Sequence, residues 1–136
     1  MGGFSSFDIS ASGLFAQRTR LDVIANNIAN AETTRTIEGG PYVRQEVTFQ
    51  EALDNKLRAG AGVEVESVGP DPTPARMVYD PGHPDARPDG YVAMPNINII
   101  EEMVDMTAAT RSYEANVTAM NAAKTMITAA IDIGKV

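Results

Sequence analysis

The chain has 136 residues, 43% hydrophobic and 21% charged, a composition that folds and is too apolar for a disordered chain. Lys and Arg number 11 against 18 Asp and Glu, a formal charge of −7 with no basic cluster, which argues against nucleic-acid binding. Cys is absent, excluding disulfides and thiolate metal sites, and no run approaches the roughly 18 apolar residues of a membrane span, so no direct membrane insertion is expected.

Residues 5–31 form the first predicted element. Phe7, Leu14, Leu21 and Ile28 recur every seven residues, with Ala11, Ile24, Ala25 and Ala31 three or four residues beyond them. That spacing predicts an amphipathic helix with a narrow coiled-coil-like seam, capped at its start by Ser6 or Asp8. The pattern dissolves at Thr33-Thr34-Arg35-Thr36. The first residues, Met1-Gly2-Gly3-Phe4-Ser5, show neither a basic nor an apolar region of a secretory signal.

Residues 32–96 hold all eight Pro, and residues 36–98 hold ten of the eighteen acids. Gly39-Gly40-Pro41 marks a turn. Alternation over residues 42–49 predicts a strand, and residues 49–58 read as a short helical or irregular connection. Val63, Val65 and Val68 mark a second strand, with Glu64 and Glu66 facing out. Pro70, Pro72 and Pro74 then enforce an extended path. Met77-Val78-Tyr79 and Gly90-Tyr91-Val92-Ala93-Met94 are two further short strands around the turn cluster Asp80-Pro81-Gly82-His83-Pro84-Asp85.

Residues 97–133 return to a seven-residue rhythm. Ile99, Met106, Tyr113, Met120 and Ile127 form one column, and Met103, Thr110, Val117 and Ile131 a second, broken at Lys124. Asn98 is the expected cap, Glu101 and Glu102 sit where the helix dipole favours acids, and Gly134 is the expected stop. A helix of roughly 35 residues would be about 50 Å long. The fold expected is mainly α with a small β-rich insertion. Long N- and C-terminal helices (1–32 and 97–136) would pair as a coiled-coil-like hairpin around a middle segment, 33–96, of short strands and loops. A seam of Ala, Thr and Met pairs weakly within one chain, so assembly-dependent folding and a plain intramolecular hairpin both stay open.

The run Leu21-Asp22-Val23-Ile24-Ala25-Asn26-Asn27-Ile28-Ala29-Asn30-Ala31-Glu32-Thr33, after Ser12-Gly13-Leu14, closely resembles the N-terminal signature of the flagellar rod and hook axial proteins. Five later stretches resemble its proximal-rod branch: residues 79–86, 90–92, 95–98, 101–106 and 111–117, with the ending Ile131-Asp132-Ile133-Gly134-Lys135. The short middle fits that branch too. The resemblance implies a structural subunit of the flagellar basal body, non-enzymatic and without cofactor. Its terminal helices would polymerise into a hollow drive shaft that transmits torque in the periplasm and encloses the export channel. It implies partners: copies of the chain itself, other proximal and distal rod proteins, the protein joining rod to membrane ring, and the flagellar type III export apparatus, which would deliver it without a cleaved signal. At Thr33-Thr34-Arg35-Thr36-Ile37-Glu38 the sequence departs from many relatives, which place a Gly earlier.

With that resemblance, the seam residues become candidate assembly-interface residues: Leu14, Leu21, Ile24 and Ile28 in the first helix, and Met103, Met106, Tyr113, Val117, Met120 and Ile127 in the last. Asn26, Asn27 and Asn30 join them. Three Asn near a helix end cost stability, and their amides would fix register against neighbouring subunits; plain helix termination is the alternative. Met103, Met106, Met120 and Met126 would adapt to non-equivalent neighbours or simply pack a core. His83 among Asp80, Asp85 and Asp89 reads as a rigid turn rather than a metal site. Glu101, Glu102 and Asp105 read as a solvated helix face rather than catalytic carboxylates. Two other classes compete: a ligand-binding or enzymatic domain built on the acidic middle, which lacks a convergent chemical site, and a helical adaptor or needle-like protein of another export system, which the Asn-rich run and the 80–86 segment disfavour.

Overall fold

The computed structural model describes residues 2–53 and 60–135. The order is α1 (Gly2–Ala29), β1 (Gln45–Leu53), β2 (Gly60–Pro70), β3 (Arg76–Tyr79), β4 (Tyr91–Met94) and α2 (Ile99–Gly134). The architecture is therefore mainly helical with a small β insertion. No described helix is long and apolar enough to cross a membrane.

Some boundaries differ from those read in the sequence. The first helix begins at Gly2, so Ser6 and Asp8 lie inside it rather than capping it. Strand β1 starts at Gln45, because Tyr42 and Arg44 are drawn into hydrogen bonds with other segments, and it runs on to Leu53 where a connection was expected; residues 54–58 of that connection lie outside the described residues. The last helix includes Gly134. At its other end Asn98 does act as the cap, its Oδ1 accepting the Ile100 N–H at 3.1 Å.

The chain divides into two compact units. Unit 1 comprises Met1–Leu21, Val47–Ser67 and Thr107–Val136. Its buried apolar side chains, among the described residues, are all alanines: Ala16, Ala109 and Ala123. Small side chains allow close helix approach, and a Cβ on Gly13 would stand 3.0 Å from Asn116 Nδ2. Strand β2 lies against α1, where the Val63 N–H donates to Ser12 Oγ at 3.1 Å. Gly62 makes that approach possible: its φ is +127° and a Cβ there would fall 2.2 Å from Ser12 Oγ. The Arg20 guanidinium sits 6.0 Å from the Phe49 ring centroid. β1 and β2 form a two-stranded sheet of their own.

Unit 2 comprises Asp22–Glu46 and Val68–Met106. Its core is Ile24, Ala31, Val92, Pro95 and Ile97. β3 and β4 pair antiparallel, with Met77 opposite Ala93 and Val78 opposite Val92. The Tyr79 and Tyr91 rings meet edge to face at 5.2 Å. The Gly39-Gly40 turn is as expected, both residues having positive φ, and it is closed by the Thr36 N–H on the Gly40 carbonyl at 2.9 Å.

Burial reveals a second inward rhythm. In α2 the column Glu102, Ala109, Asn116 and Ala123, spaced by sevens, is buried or half-buried. Met106, Met120 and Ile127 are its half-buried companions. The expected second column behaves differently: Met103, Thr110 and Ile131 are exposed and only Val117 is half-buried. The reason is chemical. The inward column is small or polar, so hydrophobicity alone points to the wrong stripe.

Candidate functional site: a buried polar junction and outward helix faces

The least exposed large side chains of unit 2 include two polar ones, Asn27 at 1% and Glu102 at 2%. A buried amide is tolerated when its hydrogen-bonding groups are paired, and Asn27 meets that condition. Its Nδ2 donates to the Gln45 carbonyl at 2.9 Å and to Glu102 Oε2 at 3.4 Å. Its Oδ1 accepts the Gln45 N–H at 2.9 Å and the Tyr42 hydroxyl at 3.1 Å. The side chain thus pairs with both backbone groups of the first residue of β1, as a neighbouring strand would.

Glu102 is buried with a cation. Arg44 Nε donates to Glu102 Oε1 at 2.6 Å, and Arg44 Nη1 donates to Asp71 Oδ2 at 3.0 Å. The Asp71 N–H donates to the Arg44 carbonyl at 2.8 Å, and Asp71 Oδ1 accepts from Thr73 through both its N–H and hydroxyl. One network therefore joins α1, the approach to β1, the exit of β2 and the first turn of α2. Burial alone would lower the Arg44 pKa, but the hydrogen bonds and charges of Glu102 and Asp71 outweigh it and raise it. Burial, then the Glu102 charge, pushes the Tyr42 hydroxyl above its ordinary value. The Thr73 hydrogen bonds, and after them Arg44, hold Asp71 below the usual carboxylate range.

Two expectations change here. Glu102 belongs to no solvated face, because Arg44 and Asn27 pair with it inside the unit. Asn27 has no amide left for an adjacent subunit, since its two donor contacts and two acceptor contacts lie within the chain. Asn30 ends the helix: its Nδ2 donates to the Asn26 carbonyl at 2.9 Å and its Oδ1 accepts the Thr33 hydroxyl at 3.2 Å. The Asn26 side chain is exposed.

The other candidates spread over both helices. Ile24 is buried; Leu14, Leu21, Ile28, Met106, Val117, Met120 and Ile127 are half-buried; Met103 and Tyr113 are exposed. The sequence reading missed a set of large apolar side chains facing outward. Phe15 is 67% exposed, Ile100 73% and Ile133 76%, with Val104, Met126 and Ile131 also exposed.

The loop at 80–86 is held by its own polar groups. The Asp85 N–H donates to His83 Nδ1 at 3.0 Å, and the Gly82 N–H to Asp80 Oδ1 at 3.2 Å. Asp85 then accepts from Thr34 Oγ1 at 2.8 Å and pairs with Arg35, tying the loop to the segment after α1. The Thr34 hydrogen bond, then Arg35, lowers the Asp85 pKa. Among the described residues no group of three or more His, Cys, Asp or Glu is placed to hold a metal ion.

Comparison with known proteins adds an independent line. Residues 7–35 match the family described as flagella basal body rod protein, and residues 89–133 match the C-terminal family of flagellar basal body rod FlgEFG protein. The flagellar basal-body rod protein FlgC of Borreliella burgdorferi is 46% identical, with 98% of each chain covered. That of Bacillus subtilis is 45% identical over 99% of this chain and 100% of its own. That of Salmonella typhimurium is 42% identical over 95% and 96%.

Proposed function

The chain belongs to the FlgC family of flagellar basal-body rod proteins, a structural family and not an enzyme family, and from this we propose that it is a subunit of the proximal rod. Its terminal helices polymerise into the hollow shaft that transmits torque and encloses the export channel. It is delivered to the periplasm by the flagellar type III export apparatus without a cleaved signal. Its partners are copies of itself, other proximal and distal rod proteins, and the protein that joins the rod to the membrane ring. On this reading residues 1–32 and 97–136 are the axial helices and 33–96 the insertion.

The observation that carries the proposal is the inverted packing of unit 1. Among the described residues its buried apolar side chains are alanines, while Phe15, Met126, Ile131 and Ile133 are exposed. Covering a large apolar side chain contributes about 1.5–3 kcal/mol, so the unit gains most when neighbouring chains cover these side chains. Half-buried Leu14, Leu21, Ile28, Val117, Met120 and Ile127, with exposed Asn26, Met103 and Tyr113, supply the remaining contacts.

The test is mass spectrometry of basal bodies purified from the source cell with the membrane rings stripped. The chain is expected to remain with the rod. Its absence while other rod proteins remain would overturn the proposal.

A further inference from the structure

The connection between β3 and β4 contains a peptide bond with a chemistry of its own. Asp89-Gly90 is the chain's only Asp-Gly pair, and no Asn-Gly pair occurs. An Asp carboxyl can acylate the amide nitrogen that follows it. Every other Asp or Asn is followed by a side chain that screens that nitrogen, or by Pro, which has no N–H to give up. Gly offers no screen. The reaction balances with water alone. The Gly90 nitrogen attacks Asp89 Cγ and a five-membered succinimide closes, while the amide proton, one carboxyl oxygen and a proton from solvent leave as water. Water then opens the ring. Attack at Cγ restores Asp89. Attack at the main-chain carbonyl leaves the backbone running through Cγ, one methylene longer, as isoaspartate.

The folded turn opposes both steps. Gly90 is buried, and its N–H donates to the Arg87 carbonyl at 2.9 Å. Asp89 Oδ1 accepts the Tyr91 N–H at 3.1 Å. Ring closure consumes the first donor and needs the carboxyl released from the second to rotate onto the Gly90 nitrogen. The product also fits badly. The Asp80 N–H donates to the Gly90 carbonyl at 3.0 Å and the Arg87 N–H to the Tyr91 carbonyl at 2.9 Å, beside the pairing of Tyr79 with Tyr91. An added backbone methylene at residue 89 pulls these partners apart. We propose that Asp89-Gly90 is a site of isoaspartate formation held shut by the folded turn, so that the modification records the time the chain spends with this turn open. Asp89 is exposed, so water is at hand and the hydrogen bonds set the limit; in the folded chain the reaction proceeds only through local opening.

The full-length chain is incubated at neutral pH in buffer, and in guanidinium chloride below and above its unfolding midpoint. Peptide mapping with electron-transfer fragmentation separates isoaspartyl from aspartyl backbone. Isoaspartate at residue 89 is expected to form at least about tenfold faster above the midpoint than in either folded sample. Equal rates overturn the protection. Faster isoaspartate formation at any other position of the unfolded chain overturns the site. Asp89→Asn keeps Oδ1 and closes the same ring by losing ammonia, so it gains a negative charge that an isoelectric gel reads beside the parent chain. A folded Asp89→Asn chain that gains charge as fast as an unfolded one overturns the protection by a second route. The isoaspartyl chain, isolated and returned to buffer, should melt below the parent; an unchanged melt overturns the misfit of the product.

Discussion

Replacing Arg44 by Met would leave Glu102 buried without its cation. The wild-type carboxylate has a 2.6 Å partner in Arg44 and a much weaker 3.4 Å contact from Asn27, at 2% side-chain exposure. Removing one partner of a buried ion pair destabilises by about 3–5 kcal/mol. The Arg44 side chain is 26% exposed, so water reaches the gap and the lower end, about 3 kcal/mol, is the expected loss. For a chain of this size that lowers the melting temperature by roughly 12 °C. Glu102→Leu alone should cost less, since Arg44 keeps Asp71 at 3.0 Å and access to water. In the double variant the buried charge is gone and an apolar pair takes its place, so the loss should fall well short of the sum of the two single losses. The assay is thermal unfolding of the four purified full-length chains by circular dichroism. An Arg44→Met melt within about 2 °C of the parent, or strict additivity in the double variant, would refute the assignment of Arg44 as the counter-charge.

Asn27→Asp keeps the shape but turns the donor facing the Gln45 carbonyl and Glu102 into an acceptor, so a loss of at least about 2 kcal/mol is expected in the same melt. Gly90→Ala forces a side chain onto φ +82° and brings its Cβ to 2.7 Å from Tyr79 Cε2; the ring is exposed and can swing away, but the backbone strain stays, and a loss above about 1 kcal/mol should appear in urea unfolding. Among the described residues the buried Gln17 Oε1 has no hydrogen-bond partner, so Gln17→Leu should raise the melting temperature by a few degrees; a fall would show that the oxygen is satisfied. Asp71 and Asp85 have pKa values lowered by folding, so their stabilisation is present above the ordinary carboxylate range and is lost as pH falls through it and below. Thr73→Val and Thr34→Val remove the first cause of each shift, and each should make stability less dependent on pH below about pH 4. An unchanged acid limb in both would count against the assigned causes.

The long helices and the short strands are legible in the sequence because each follows a local rule. Seven-residue spacing marks α1 and α2, Asn98 caps, and Pro and Gly cluster where the chain turns. The inward stripe of α2 is not legible by the same rule. Ala109, Ala123, Asn116 and Glu102 are chosen for small size or for partners far along the chain, while Met103, Ile100 and Ile131 look like core and face outward. Asn27 illustrates the limit. Its type and place invite a contact outside the chain, but its partners Tyr42, Gln45 and Glu102 lie 15, 18 and 75 positions away, and no local pattern predicts their meeting. The Arg44 partners Asp71 and Glu102 are as distant, at 27 and 58 positions.

The two-stranded sheet of β1 and β2 has one further consequence. A lone pair of strands has no third strand on its outer edges, and an edge not covered by side chains can recruit a strand from another molecule. Among the described side chains every ionisable group on these strands is acidic: Glu46, Glu51, Glu64 and Glu66, all exposed. Two copies that met edge to edge would bring four carboxylates from each into one strip, and the repulsion would grow as salt is withdrawn. The strip works as a bumper between molecules, and added salt would deflate it.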